Sequence, residues 1–194
     1  MKKYLFLIQG ILLISGCGNH FNLNENVTDK NLTLINQDSI KVNYPEIIKN
    51  KIAVIGFIYT HCPDICPLTT HNMQLVEEKL STDELNKVKF YLISFDPERD
   101  TPSILKQYAE VRNINMTHWE LLTGDKNAID TLLNEFNVKA IHDDTVYKKQ
   151  GQPEYFIIHT DRISLVDEDG ILRKNYKGST AKPEELVNDI KYLE

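Results

Sequence analysis

Ile52-Ala53-Val54-Ile55-Gly56-Phe57-Ile58 is a near-continuous apolar run rich in β-branched residues. It gives way abruptly to Tyr59-Thr60-His61-Cys62-Pro63-Asp64-Ile65-Cys66-Pro67. A run of that length and character is expected as a central strand buried on both faces. Leu68, Met73, Leu75, Val76 and Leu80 follow at approximately helical spacing, so the segment between is a strand-to-helix turn. Cys62 and Cys66 stand four positions apart within it. If the helix starts near Asp64, both sulfurs approach one face of its first turn. Backbone N–H groups at a helix N-terminus favour negative charge and therefore thiolate, the form that attacks disulfides and binds soft metals. The site is redox-active, metal-binding or both.

The chain of 194 residues is long enough for one domain with its own core. Its 41% hydrophobic and 26% charged residues are those of a soluble globular protein, not a disordered one. The formal net charge is −6 and no basic run is present, which argues against a nucleic-acid partner.

Met1-Lys2-Lys3 gives a positive start, Tyr4 to Ile14 an apolar core, and Ile14-Ser15-Gly16 small residues ahead of Cys17. The apolar stretch is too short for a permanent membrane helix but fits a signal peptide. Its Ile-Ser-Gly-Cys ending resembles a bacterial lipoprotein signal, in which the cysteine is acylated after cleavage. Residues 1–16 are then the signal peptide, and the mature chain starts at a lipidated Cys17. Loss of Lys2 and Lys3 leaves 20 basic against 28 acidic residues, a net of −8. The expected location is the bacterial cell envelope, anchored to a membrane by lipid with the domain on the exported side. Of three cysteines, only Cys62 and Cys66 remain as thiols in an oxidising compartment. A disulfide between them closes a very short loop and is a weak structural staple.

Asn19 to Lys30 is Asn-rich with little hydrophobic pattern and reads as a flexible tether over residues 17–30. Leu32 to Val42 reads as a β-hairpin about a polar turn. Val88 to Phe95 is the second core strand. Thr101-Pro102 opens a helix through Ile104, Leu105, Tyr108 and Val111. A short strand at Trp119–Leu122 precedes a helix through Ile129, Leu132, Leu133 and Phe136. Tyr155–Ile158 and Ile163–Val166 are two more strands. The second is followed by the Asp167–Gly170 turn and a return strand from Ile171 to Tyr176. Pro183 opens the last helix. This α/β order predicts a single thioredoxin-like domain over residues 31–194. It has a central mixed β-sheet flanked by helices, an N-terminal β-hairpin and a hairpin near the C-terminus.

The stretch Tyr59–Pro67, with its Thr-x-Cys-Pro-Asp-x-Cys-Pro core, resembles the signature of the Sco/SenC family. These are copper-binding assembly factors for cytochrome c oxidase. A second family-like motif is Ser94-Phe95-Asp96-Pro97-Glu98-Arg99-Asp100-Thr101-Pro102, and a third is His159-Thr160 ahead of the Ile163–Val166 strand. Together they cover about residues 30 to 192.

The resemblance implies that His159 approaches Cys62 and Cys66 in space as a third copper ligand. Two soft thiolates suit Cu(I), and an added imidazole also holds Cu(II). The family usually carries Asp directly before this histidine. Here the residue is Ile158, so carboxylate support of the histidine from that position is absent. The implied role is a copper metallochaperone for the CuA centre in subunit two of cytochrome c oxidase. Other copper chaperones and thiol-disulfide reductants are further partner classes. The alternative is a membrane-tethered thiol-disulfide reductase, in which Cys62 attacks and Cys66 resolves. The three-residue spacer, longer than the usual two, leaves room for a metal. A peroxiredoxin-like role fits poorly, since Ile55 and Tyr59 occupy the places of that pattern's Pro and hydroxyl residue.

Zinc is the weaker metal, because no spaced histidine pair is present. His61 sits in the turn where it tunes a thiol rather than binding metal. His71 and His118 read as surface residues, His142 as part of a solvated loop with Asp143 and Asp144, and His20 as tether. Asp96 closes the second core strand beside the cysteine turn. It is a candidate proton acceptor for a thiol, a candidate partner contact, or a turn residue before Pro97. Arg99 and Asp100 read as a solvent pair, and Tyr59 as a packing residue shielding the site.

Overall fold

The computed structural model describes residues 20–143, 147–149 and 152–194. Cys17 and Asp144 lie outside them. Three strands form the parallel centre: β4 (Ile52–Ile58), β5 (Val88–Ser94) and β6 (Trp119–Gly124). The predicted N-terminal hairpin, β2 (Leu32–Asn36) with β3 (Lys41–Tyr44), adds to β6 antiparallel. On the other side, β11 (Ile163–Val166) pairs antiparallel with β4, followed by β12 (Ile171–Tyr176) and the short β1 (Glu25–Asn26). The sheet order is β1-β12-β11-β4-β5-β6-β2-β3, a mixed sheet of thioredoxin-like type. All seven residues of β4 are buried, as its unbroken apolar sequence requires.

Side-chain alternation along β4 assigns its two faces. Gly56 faces α1 (Ile65–Lys79), where Met73 leaves no room for a larger residue: a Cβ there would lie 2.6 Å from the Met73 sulfur. Phe57 points the other way, onto Phe136 just past α4 (Lys126–Glu135), with ring centroids 5.3 Å apart. Next to α1 lie α3 (Pro102–Val111), through a 2.9 Å bond between Thr70 and Tyr108, and α5 (Pro183–Leu193), through the Lys79–Glu184 ion pair at 3.0 Å. The one-turn helix α2 (Thr82–Leu85) is closed by a Ser81/Glu84 capping box.

Two smaller sheets stand apart: β7 (Ala140–His142) with β10 (Ile157–His159), and β8 (Tyr147–Lys149) with β9 (Gln152–Glu154). The strand expected at Tyr155–Ile158 therefore starts two residues later and joins β7, not the central sheet.

Residues 20–30 differ from the flexible tether expected there. Leu23 donates from its backbone to Arg173, Val27 is buried, and Phe21 and Leu23 pack against the core. His20 stacks on Tyr192 at 4.0 Å and bonds Asp189 at 2.7 Å. Phe21, Leu23 and Val27 fall on alternate positions, the period of an edge strand, although polar neighbours dilute the signal. Two stripe residues also fall outside the core, Leu68 at 46% exposure and Val111 at 74%. Buried Thr69 and Thr70 take the places on α1 that its apolar count alone did not assign.

Between β12 and α5, a 3-10 turn at Gly178–Thr180 presses against α1. A Cβ on Gly178 would lie 2.6 Å from the Thr69 hydroxyl and 2.7 Å from the Asp161 carboxylate. Thr69 is three residues beyond Cys66 and Asp161 two beyond His159, so a methyl there wedges apart the segments carrying both. Gly178→Ala is expected to lose about 1–3 kcal/mol of stability, as overpacked sites do. A urea midpoint equal to wild type would contradict this close packing.

Candidate metal centre

Cys62 sits in the turn after β4, where its backbone N–H donates to the Tyr59 carbonyl at 3.2 Å. Cys66 is the second residue of α1, and its backbone N–H points at the Cys62 sulfur, 3.4 Å away. The helix N-terminus thus donates directly to one thiol, as the four-residue spacing predicts. His159 arrives from β10, with its Nε2 3.7 Å from the Cys66 sulfur. The Sγ atoms of Cys62 and Cys66 and a ring nitrogen of His159 lie within 4.8 Å of one another, the one such cluster among the described residues. Both cysteines are free thiols.

The two sulfurs are not equivalent. Cys66 is 1% exposed and Cys62 8%. The Cys66 S–H donates to Cys62 and is the largest influence on it. Burial opposes that influence, while His159 and the N–H groups of Cys66 and Asp64 add to it, bringing Cys62 down to about 3. The same shared proton, together with burial, pushes the Cys66 thiol up. The pair loses its first proton readily, from the more open sulfur, and holds the second.

His159 has its orientation fixed from the other side of the ring. Its Nδ1 lies 3.1 Å from the Thr160 carbonyl, which can only accept, so Nδ1 carries the hydrogen and Nε2 faces the sulfurs. Burial disfavours its charged form, but the bonds to Cys62 and to Thr160 outweigh this and raise its pKa. Phe95 lies 4.6 Å from the His159 ring, and Tyr59 meets it edge-on at 5.8 Å. Tyr59 is the shielding residue expected. Phe95 is a second aromatic wall that its place at the end of an apolar strand did not single out.

Ile158 is 65% exposed, while its neighbours Ile157 and His159 turn inward. The side chain at that position points to the face of β10 opposite the thiols. The histidine is backed by the Thr160 carbonyl.

The acidic residues after β5 divide their roles differently from the expectation. Asp96 is buried, but its carboxylate is taken up by the Arg99 Nε and, at 2.6 Å, by the Tyr155 hydroxyl. Each of its two oxygens is thus engaged by a donor, one from the same loop and one from the segment leading into β10. Arg99 and Asp100 are not a solvent pair: Arg99 pairs with Asp96, and Asp100 is completely buried. Asp100 accepts from the Thr60 backbone at 3.0 Å and the Ser94 hydroxyl at 2.6 Å, tying the cysteine turn to the end of β5. Burial raises its pKa, and its charge reaches Cys66. The available signal was Ser94, the polar last residue of β5, and Thr60, two residues past β4, both in need of a buried acceptor.

Of the other histidines, His61 and His71 are exposed, and His61 bonds only its neighbour Thr60. His118 is half-buried. His142, expected in a solvated loop, is an exposed residue of β7 stacked on Tyr155 at 4.7 Å. None of them belongs to the thiol cluster.

Comparison with known proteins agrees with this architecture. The family model SCO1/SenC matches residues 22–193. The SCO1 protein homolog of Bacillus subtilis is 31% identical over 160 residues, spanning 82% of this chain and 79% of that protein. The structure of Bradyrhizobium japonicum ScoI with copper bound superposes with a TM-score of 0.72 at 32% identity, covering 85% of this chain and 98% of that one. BsSco, a member of the Sco family of cytochrome c oxidase assembly proteins, has a TM-score of 0.68 at 30% identity, covering 88% and 94%. The chain, thioredoxin-like in fold and carrying two cysteines and a histidine at one point, belongs to the SCO1/SenC family.

Proposed function

We propose that this protein is a copper carrier that binds the metal through Cys62, Cys66 and His159 and delivers it to the CuA centre in subunit two of cytochrome c oxidase. The observation that carries this reading is the convergence of two thiols and one imidazole nitrogen within 4.8 Å. Donor chemistry selects the metal: thiolates suit Cu(I), and the added imidazole extends the site to Cu(II). Cys62 already favours thiolate, so uptake displaces chiefly the proton on Cys66 and any on His159 Nε2. Release runs by ligand exchange, with Cys62 the more accessible sulfur for an incoming ligand. A lipid on Cys17 would hold the domain beside a membrane-bound client. No helix among the described residues is long and apolar enough to cross a membrane.

The test is metal titration of the reduced protein. Wild type is expected to bind one copper ion. Cys62→Ser loses Cu(I) and Cu(II) binding, and His159→Ala loses Cu(II) binding more than Cu(I) binding. Copper binding by both variants as tight as wild type would refute the three-ligand site.

The asymmetry of the thiols supports a second reading, a thiol-disulfide reductase. The Cys62 thiolate attacks a client disulfide, releasing one client thiolate and forming a mixed disulfide. Cys66 then loses its proton and attacks Cys62, leaving a Cys62–Cys66 disulfide and a fully reduced client. Reduction of a client disulfide by copper-free protein, retained in His159→Ala, distinguishes this activity from metal delivery.

A further inference from the structure

His159 is the one ligand that does not come from the central sheet or its first helix. It is carried by β10, whose partner strand is β7 in a separate small sheet. Something must therefore hold this strand against the cysteine turn. Tyr155, four residues earlier, is fixed three times. Its hydroxyl donates to Asp96 Oδ1 at 2.6 Å. Its backbone carbonyl accepts from Arg99 Nη1 at 3.1 Å. Its ring lies under the Arg99 guanidinium, 3.6 Å from the ring centroid. Arg99 is locked in turn by its Nε bond to Asp96, and Asp96 is anchored by its own N–H to Ser94 at the end of β5, 3.0 Å away. Only Phe156 separates Tyr155 from β10, in which Ile157 is buried and His159 lies on the same face, so fixing residue 155 anchors the start of the strand that carries residue 159.

We infer that Asp96, Arg99 and Tyr155 form a clamp that positions His159 against the two thiols and so sets how well the site holds Cu(II), which needs the imidazole, relative to Cu(I), which two thiolates satisfy. The inference rests on the copper-binding reading above. None of the three side chains is a metal ligand; they are positioning residues. Arg99 suits the task because a planar guanidinium can bond a carboxylate, bond a carbonyl and stack on a ring at once, which an ammonium cannot. The engagement of both Asp96 oxygens is also what a positioning role requires.

Tyr155→Ala removes the ring and the hydroxyl. It is expected to weaken Cu(II) binding by roughly 10–100-fold, the usual effect of losing a partner that orients a metal ligand, with a much smaller change for Cu(I). The spectrum of any bound Cu(II) should lose its imidazole nitrogen hyperfine coupling. Tyr155→Phe keeps the stack and the carbonyl bond and should fall between the two. In metal-free protein, a proton NMR contact between the His159 and Phe95 rings should be present in wild type and lost in Tyr155→Ala. Arg99→Lys, which keeps the charge but not the fork or the stack, should reproduce the Tyr155→Ala behaviour if Tyr155→Ala does not fold. An unchanged ratio of Cu(II) to Cu(I) affinity together with a retained ring contact in the folded variants would overturn the clamp. If wild type binds no copper, the copper reading fails, while the metal-free ring contact still decides the clamp.

Discussion

In a Cys66→Ala protein, Cys62 is expected to titrate at a higher pH than in wild type. The S–H of Cys66 is the largest of the groups holding the Cys62 thiolate at about 3, and the substitution deletes it. The N–H of residue 66, the N–H of Asp64 and His159 remain, so the new midpoint should settle between the wild-type one and the ordinary thiol value of roughly 8.5. The measurement is the alkylation rate of Cys62 against pH, followed by the mass of its own peptide so that other thiols do not contribute. Wild type should react at a nearly constant rate from neutral pH down to mildly acidic conditions, because thiolate persists above a depressed pKa. The variant should lose reactivity as pH falls through its raised midpoint. Coincident profiles would exclude a proton shared between the sulfurs. The result bears on function either way, since a Cys62 that is thiolate at neutral pH is ready both to take a soft metal and to attack a disulfide.

Phe57→Ala should cost about 3–5 kcal/mol, the usual loss for emptying a buried aromatic site. That is a large part of the roughly 5–15 kcal/mol that keeps a domain folded. Phe57 is 1% exposed in the central strand and packs on Phe136 on the face opposite α1. Its neighbours cannot close the gap, because β4 is held on both sides by β5 and β11. The variant is expected to have a markedly lower urea midpoint, and it should lose site order as well, since Tyr59 and the cysteine turn continue directly from this strand. Leu68→Ser is the matching control. The apolar count placed Leu68 in the helix stripe, but at 46% exposure its loss should change stability by no more than about 0.5 kcal/mol. Equal losses in the two variants would mean that the assigned faces of β4 and α1 are wrong.

Much of this was readable locally. A near-continuous apolar run rich in β-branched residues is expected as a strand buried on both faces, and Ile52–Ile58 is one. Pro102 and Pro183 each stand in the first turn of a helix, where the missing N–H costs nothing. The Asp167–Gly170 turn joins β11 to β12 with Gly170 at a φ of 77°, in contact distance of Thr28. Signals spread thinly over polar residues were harder to read, which is why the segment from His20 to Lys30 looked like a tether yet docks on β12 and α5.

For the strand-to-helix turn, the sequence alone determined that two thiols four residues apart meet one helix N-terminus, because backbone geometry over a single turn is local. It did not determine by spacing that a histidine 93 residues beyond Cys66 lies beside them. Nor did it determine that Asp100 rather than Asp96 is the carboxylate tied to the cysteine turn, or that Ile158 faces away from the thiols. Those relations depend on how β10 is held against the end of β5. The contacts that hold it join residues 56 and 59 positions apart, which only the folded chain brings within hydrogen-bonding distance.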